Sequence, residues 1–180
     1  MKTKVFSVFP ACGKTWLYEH QKDFNLKILD SDSSNFSWKT EKVALPDFGD
    51  GCQWEDRKVR DPEFPKNYIA YIKEQLEKDE YNAIFVSSHE EVRKALEEAE
   101  IDYTIIYPDQ SNLESWIGRC YLRELKGTNG FPIKVLIDNW NRWINDAIID
   151  SINHDSIILK HNEYLSGVVD KMFMEVTKNE

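Results

Sequence analysis

Cysteine is scarce in this 180-residue chain: Cys12, Cys52 and Cys120 are scattered, and no C-x-x-C pair occurs. An odd, dispersed set argues against a disulfide framework or a zinc centre and fits a reducing cytoplasm. No apolar run approaches the ~18 residues a membrane span needs, so no membrane partner is expected. Basic charge is also short, with 23 Lys and Arg against 32 Asp and Glu and a net charge of −9. That balance argues against binding to a nucleic-acid backbone as the main role, while leaving room for a local basic pocket. The opening Met1-Lys2-Thr3-Lys4 leads into an apolar run with no small-residue cleavage site, so no signal peptide is expected. There is no internal repeat and no low-complexity tract. His20, His154 and His161 have no ligand-like spacing.

What the chain does have is enough apolar and aromatic residues, 41% and 13%, to bury the core of a single domain over 1–180. Short apolar runs at 4–10, 26–30, 81–86, 103–107 and 156–160 read as strands. Helical periods fall at 14–22, 63–79, 90–100, 111–125, 131–148 and about 163–177. Strands alternating with helices specify an α/β sandwich around a parallel sheet. Residues 39–61, with Pro46, Gly49 and Gly51, lack clear periodicity and read as an irregular insertion. Lys126 to Gly130 reads as a turn.

The stretch with the most chemistry runs from Lys4 to Thr15. An apolar strand ends in Pro10-Ala11-Cys12-Gly13-Lys14-Thr15, and a helical pattern follows at once. Strand, loop and helix with Gly-Lys-Thr at the junction is the setting a phosphate-binding loop requires. Loop amides would cradle phosphate oxygens, Lys14 would meet the β- and γ-phosphates, and the Thr15 hydroxyl would hold Mg²⁺. The bland alternative is an ordinary helix start with Thr15 near the cap.

The loop resembles the G-x-P-G-x-G-K form of the adenylate kinase family. Pro10, Gly13 and Lys14 match it, while Val8 and Ala11 stand where that form has glycines. The layout of nearly the whole chain is similar to that of P-loop nucleoside monophosphate kinases, which also occur in phage genomes. The resemblance implies a P-loop NTPase-type three-layer sandwich with a five-stranded parallel sheet in order 2-3-1-4-5. It further implies an acceptor-binding insertion at about 31–80 and a lid-like segment at about 110–130.

Other residues take roles within that expectation. Arg119 and Arg123, four apart on a helix, share a face and would stabilise the transferring phosphoryl group; a solvated face paired with Glu114 or Glu124 is the alternative. Asp30, Asp32 and Ser33 end the second strand, where open α/β sheets bind ligands. Phe36 and Trp38 would stack on a base, and Arg60 would reach the acceptor phosphate; a polar turn with Asx bonding explains Asp32 equally well. No acidic residue stands at Ser87-Ser88-His89, where many P-loop enzymes place one for Mg²⁺. Cys12 reads as a small filler. The expected function is ATP-dependent phosphorylation of a nucleoside or deoxynucleoside monophosphate. A kinase of another small acceptor, a nucleotide-binding protein without turnover and a plain interaction domain are the alternatives.

Overall fold

Strand β1 (Lys4–Val8) runs through the middle of the sheet and is buried from Val5 onward. In the computed structural model, which describes residues 2–44, 54–125 and 132–173, it lies between β5 (Ala83–Ser87) and β6 (Thr104–Pro108), parallel to both. All three are near-continuous apolar runs, as strands covered on both faces must be. The shorter β2 (Ile28–Asp30) and β7 (Ser156–Leu159) form the two edges. Short edge strands limit unwanted pairing with other chains.

Side chains alternate across a strand, so Phe6 and Phe9 leave the β1 chain on opposite faces. Phe6, fully buried, meets Phe85 and, at 5.9 Å between centroids, Phe173 of α7 (Val169–Phe173). Phe9 meets Trp140 at 5.7 Å and Trp143 at 6.2 Å, both on α6 (Ile133–Asp150). Helices therefore cover both faces, which makes three layers. Right-handed crossovers put α1 (Lys14–Glu19) on one face, since β1 to β2 moves one way across the sheet. The opposite movement of the later connections puts α3 (Lys66–Lys78), α4 (Glu90–Glu98) and α6 on the other, with α5 (Leu113–Leu125) packed on α6. The inward residues of α6, Leu136, Trp140, Ile144 and Ala147, keep helical spacing.

The order across the sheet is β2-β5-β1-β6-β7: the strands expected at 26–30, 81–86, 4–10, 103–107 and 156–160 stand side by side in that order, and two further strands in the chain change the numbering from 2-3-1-4-5 to 2-5-1-6-7. The difference comes from the stretch read as an irregular insertion. A one-turn helix, α2 (Ser34–Ser37), is followed by β3 (Trp38–Ala44) and β4 (Trp54–Arg60), which pair antiparallel only with each other. Glu41 stands opposite Arg57 and Lys42 opposite Asp56, so opposite charges meet across the ribbon. Nearly every residue of both strands is exposed, and no apolar alternation marks them. The backbone closes at the base through Asp61 N–H to Ser37 O, 3.0 Å. Residues 45–53, including Pro46, Gly49, Gly51 and Cys52, lie outside the described residues, as do the expected turn at 126–130 and the end of the last helix beyond 173. What precedes that end is a 3-10 turn at Leu165–Gly167 and then α7. No described helix is long and apolar enough to cross a membrane.

Burial makes two substitutions informative. Phe6→Ala should lower unfolding free energy by ~3–5 kcal/mol, because a ring at the centre of two layers leaves a cavity. Trp54→Ala on the exposed ribbon should cost less than ~1 kcal/mol. Urea denaturation followed by circular dichroism measures both.

Candidate functional site

The loop leaving β1 is fastened from outside. Phe9 N–H donates to Ile106 O at 2.9 Å, and Trp116 Nε1 donates to Pro10 O at 2.9 Å. Leu165 N–H donates to Cys12 O at 3.0 Å. Two loop residues have positive φ, Ala11 at 61° and Gly13 at 94°. Ala11 thus takes a left-handed conformation that glycine adopts at lower cost. At Gly13 the demand is double, because a Cβ there would also lie 3.3 Å from Tyr164 Cδ1. Lys14 follows, half-buried, and Thr15 is exposed.

Arg119 sits behind this loop. It is only 7% exposed, and its guanidinium lies 3.7 Å from the Trp116 ring centroid on one side and 3.9 Å from that of Tyr164 on the other. Nη2 donates to Glu163 O at 2.9 Å, while Nη1 is buried with no partner. Burial presses its pKa downward, opposed by Tyr164 and the cysteines Cys12 and Cys120; a guanidinium nevertheless stays cationic in proteins. Burial also pushes the Cys12 thiol up to about 12, with Arg119 and Lys14 pulling the other way. Both cations are therefore within electrostatic reach of Cys12. Arg123, one turn further along α5, is half-buried, and its charge acts on Asp30.

The carboxyl ends of the strands collect the rest. Asp30 closes β2; burial raises its pKa, Lys14 lowers it, Asp32 raises it and Arg123 lowers it. Lys14, Asp30 and Arg123 thus share one electrostatic neighbourhood. Asp32 accepts the Ser34 N–H at 2.8 Å, an Asx-type bond that starts α2. Ser33 is buried, and the Phe36 ring packs on Tyr68 and Tyr71 with centroids 5.1 and 5.0 Å away. Trp38 is half exposed at the base of the ribbon. Opposite it, Arg60 lies over the Trp38 and Phe64 rings and pairs with Glu91. Arg57 pairs with Glu55 on the exposed ribbon.

Beside the loop, a cleft of about 440 Å³ opens between α4 and α6, with Phe9, Pro10, Arg60, His89, Arg93 and Arg142 among its walls. Solvent reaches His89, yet partial burial still holds its imidazole below the usual range. Glu91 opposes this, and the charges of Arg60, Lys14 and Arg93 add to it. A shallower hollow of about 510 Å³ near Tyr107 and Ile158 carries one charged residue, Asp109. Sequence reasoning did not single out Trp116, Glu163 and Tyr164, which hold Arg119, or Arg93 and Arg142. The i, i+3 spacing of Trp116 and Arg119 was the only local signal. Among the described residues, no three His, Cys, Asp or Glu side chains converge as a metal cage.

Comparison with family models, with curated proteins and with solved structures finds no match for this chain.

The raised Cys12 pKa has a sign that can be measured. The unfolded thiol ionises near pH 9 while the folded one keeps its proton to about pH 12. Its contribution is fully present below pH 9 and is lost as pH rises from there to about 12, at up to ~1.4 kcal/mol per pH unit. Denaturation profiles of wild type and Cys12→Ala should diverge in slope only in that window. Alkylation at pH 8 read by mass spectrometry should leave Cys12 unmodified in the native protein and modify it in urea.

Proposed function

We propose that the chain is a phosphotransferase that moves the γ-phosphoryl group of ATP to a nucleoside or deoxynucleoside monophosphate. The observation that carries this reading is the loop that ends in Gly13-Lys14-Thr15 at the carboxyl end of the central strand and turns through positive φ at Ala11 and Gly13. The residues support each part of the chemistry. Lys14 neutralises the donor phosphates as a point charge, Arg119 and Arg123 supply planar donors on the α5 side, and the turn at Ala11 and Gly13 admits close approach of backbone to phosphate.

ATP carries Mg²⁺, which takes few protein ligands and keeps phosphate and water oxygens. The Thr15 hydroxyl and the Asp30 carboxylate, the latter within the field of Lys14, fit that donor set in kind. When bound, the metal would offset the negative charge of the phosphates. Catalysis then rests on positioning and electrostatics: the bond from the γ-phosphorus to the bridging oxygen breaks, and a bond to an acceptor phosphate oxygen forms. The products are ADP and a nucleoside diphosphate, with no covalent enzyme intermediate. Arg60 and Trp38, in contact with each other, offer the acceptor a cation and an aromatic face from the ribbon.

A nucleotide-binding protein without turnover is the second reading. It is favoured by one observation, the absence of a carboxylate at Ser87-Ser88-His89 where β5 ends. Calorimetry with ATP and Mg²⁺ tests what the two readings share: wild type should bind, and Lys14→Ala should weaken binding by about tenfold or more. No binding of any nucleoside triphosphate to wild type would remove both. Binding without ADP release in the presence of each monophosphate would leave the second.

A further inference from the structure

The two edges of the sheet are finished differently. At β2 the outward Ile28 N–H donates to Gln21 Oε1 at 2.6 Å, so a side chain of the same molecule covers that edge. The β7 edge has no such cover. Asp155 O and Leu159 O accept from the N–H groups of Ile105 and Asp109. The odd-numbered residues of β7 therefore direct their backbone groups to β6, and Ser156 and Ile158 turn theirs outward. Among the described residues nothing bonds those outward groups. The next outward residue, Lys160, is already engaged: its N–H donates to Glu163 Oε2 at 2.8 Å, and its O accepts from the Glu163 N–H at 3.1 Å. Apolar side chains flank the open groups on the α6 face, where Ile158 and Ile148 are both exposed. The hollow of about 510 Å³ lies between these two isoleucines, Tyr107 and Asp109, toward the carboxyl end of β7. At the amino end of the same strand stands Ile152, 78% exposed in the turn that joins α6 to β7. One strand thus has open backbone groups at its centre, an apolar knob at one end and a hollow at the other.

We propose that β7 is the two-fold interface of a homodimer, pairing antiparallel with β7 of a second copy. A register centred on Ile157 sets Ser156 of each copy opposite Ile158 of the other. Each such pair exchanges two N–H to O bonds, so every open backbone group finds a partner. A register centred on Ile158 would satisfy half as many, because Lys160 is engaged in its own turn. Antiparallel pairing also reverses the ends, which brings Ile152 of each copy to the hollow of the other. Knob and hollow on one chain make the self-complementary surface that a two-fold interface needs. Exposed Asp155 at the amino end and exposed Lys160 at the carboxyl end meet by the same reversal, one pair on each side of the axis. An unrelated extended peptide would fit the open groups but would leave the placement of knob and hollow without a counterpart. A four-residue strand covers little area, so the isoleucines supply the apolar burial that drives association. The interface does not depend on what the loop at Gly13 binds.

The test is sedimentation velocity on the full chain over a wide range of concentration, with residue-resolved hydrogen exchange, on wild type, Ile152→Asp and Ile158→Lys. Both side chains are exposed, so both variants should fold, and urea midpoints close to that of wild type check this. Wild type should reach twice the 21.2 kDa of one chain as concentration rises. Each variant should raise the concentration needed for association about tenfold or more, since each sets a charge in the apolar contact. The Ser156 and Ile158 amides of wild type should gain exchange protection with concentration, and those of the variants should gain it only at the higher concentrations at which they associate. Wild type that stays monomeric at every concentration overturns the proposal. So does a dimer that both variants leave intact, or one in which the Ser156 and Ile158 amides stay unprotected.

Discussion

The Arg119 guanidinium lies between the Trp116 and Tyr164 rings and donates to Glu163 O, and through these partners it fixes the loop at 9–13. Trp116 bonds Pro10 O, Leu165 next to Tyr164 bonds Cys12 O, and Gly13 packs on Tyr164 itself. Cation–π contacts of this desolvated kind contribute ~2 kcal/mol or more each. Burying the charge costs several kcal/mol in return, so the arrangement specifies a shape more than it adds stability. External contacts hold Ala11 in a conformation that glycine would adopt unaided.

The sheet decides where this clamp sits. The loop leaving β1 turns to the α1 face, while the loops leaving β5 and β6 turn to the other. A crevice therefore opens at the carboxyl end of β1, where open α/β sheets bind ligands. Lys14, Asp30, His89 and Arg123 collect there because parallel strands all deliver their carboxyl ends to one edge. The ribbon β3–β4 adds Arg60 from the side, fixed by its pairing with Glu91.

The five strands of the main sheet were legible because apolar runs bounded by turns are a local property of sequence. The Gly13-Lys14-Thr15 junction was legible for the same reason. The ribbon was not, since its exposed strands are held by pairs such as Glu41 opposite Arg57, which leave no hydrophobic period. Long-range partners were hidden too. Arg93 sits among the inward positions of α4 because Asp150, 57 residues away, pairs with it, and no spacing rule reveals such a pair. Phe36 offered an aromatic face in sequence, but that ring is packed against Tyr68 and Tyr71. Local sequence marked Arg119 and Arg123 as one helix face; only tertiary packing distinguishes the stacked, buried Arg119 from its half-buried neighbour.

The central claim is that charge gathered at the end of β1 moves a phosphoryl group between two nucleotides. It is tested most directly by incubating the protein with Mg²⁺, ATP labelled in the γ-phosphoryl group, and each nucleoside or deoxynucleoside monophosphate in turn. The account predicts label in the β-position of one nucleoside diphosphate, abolished by Lys14→Ala. Label that stays in ATP, or appears only as inorganic phosphate with every monophosphate, would contradict it.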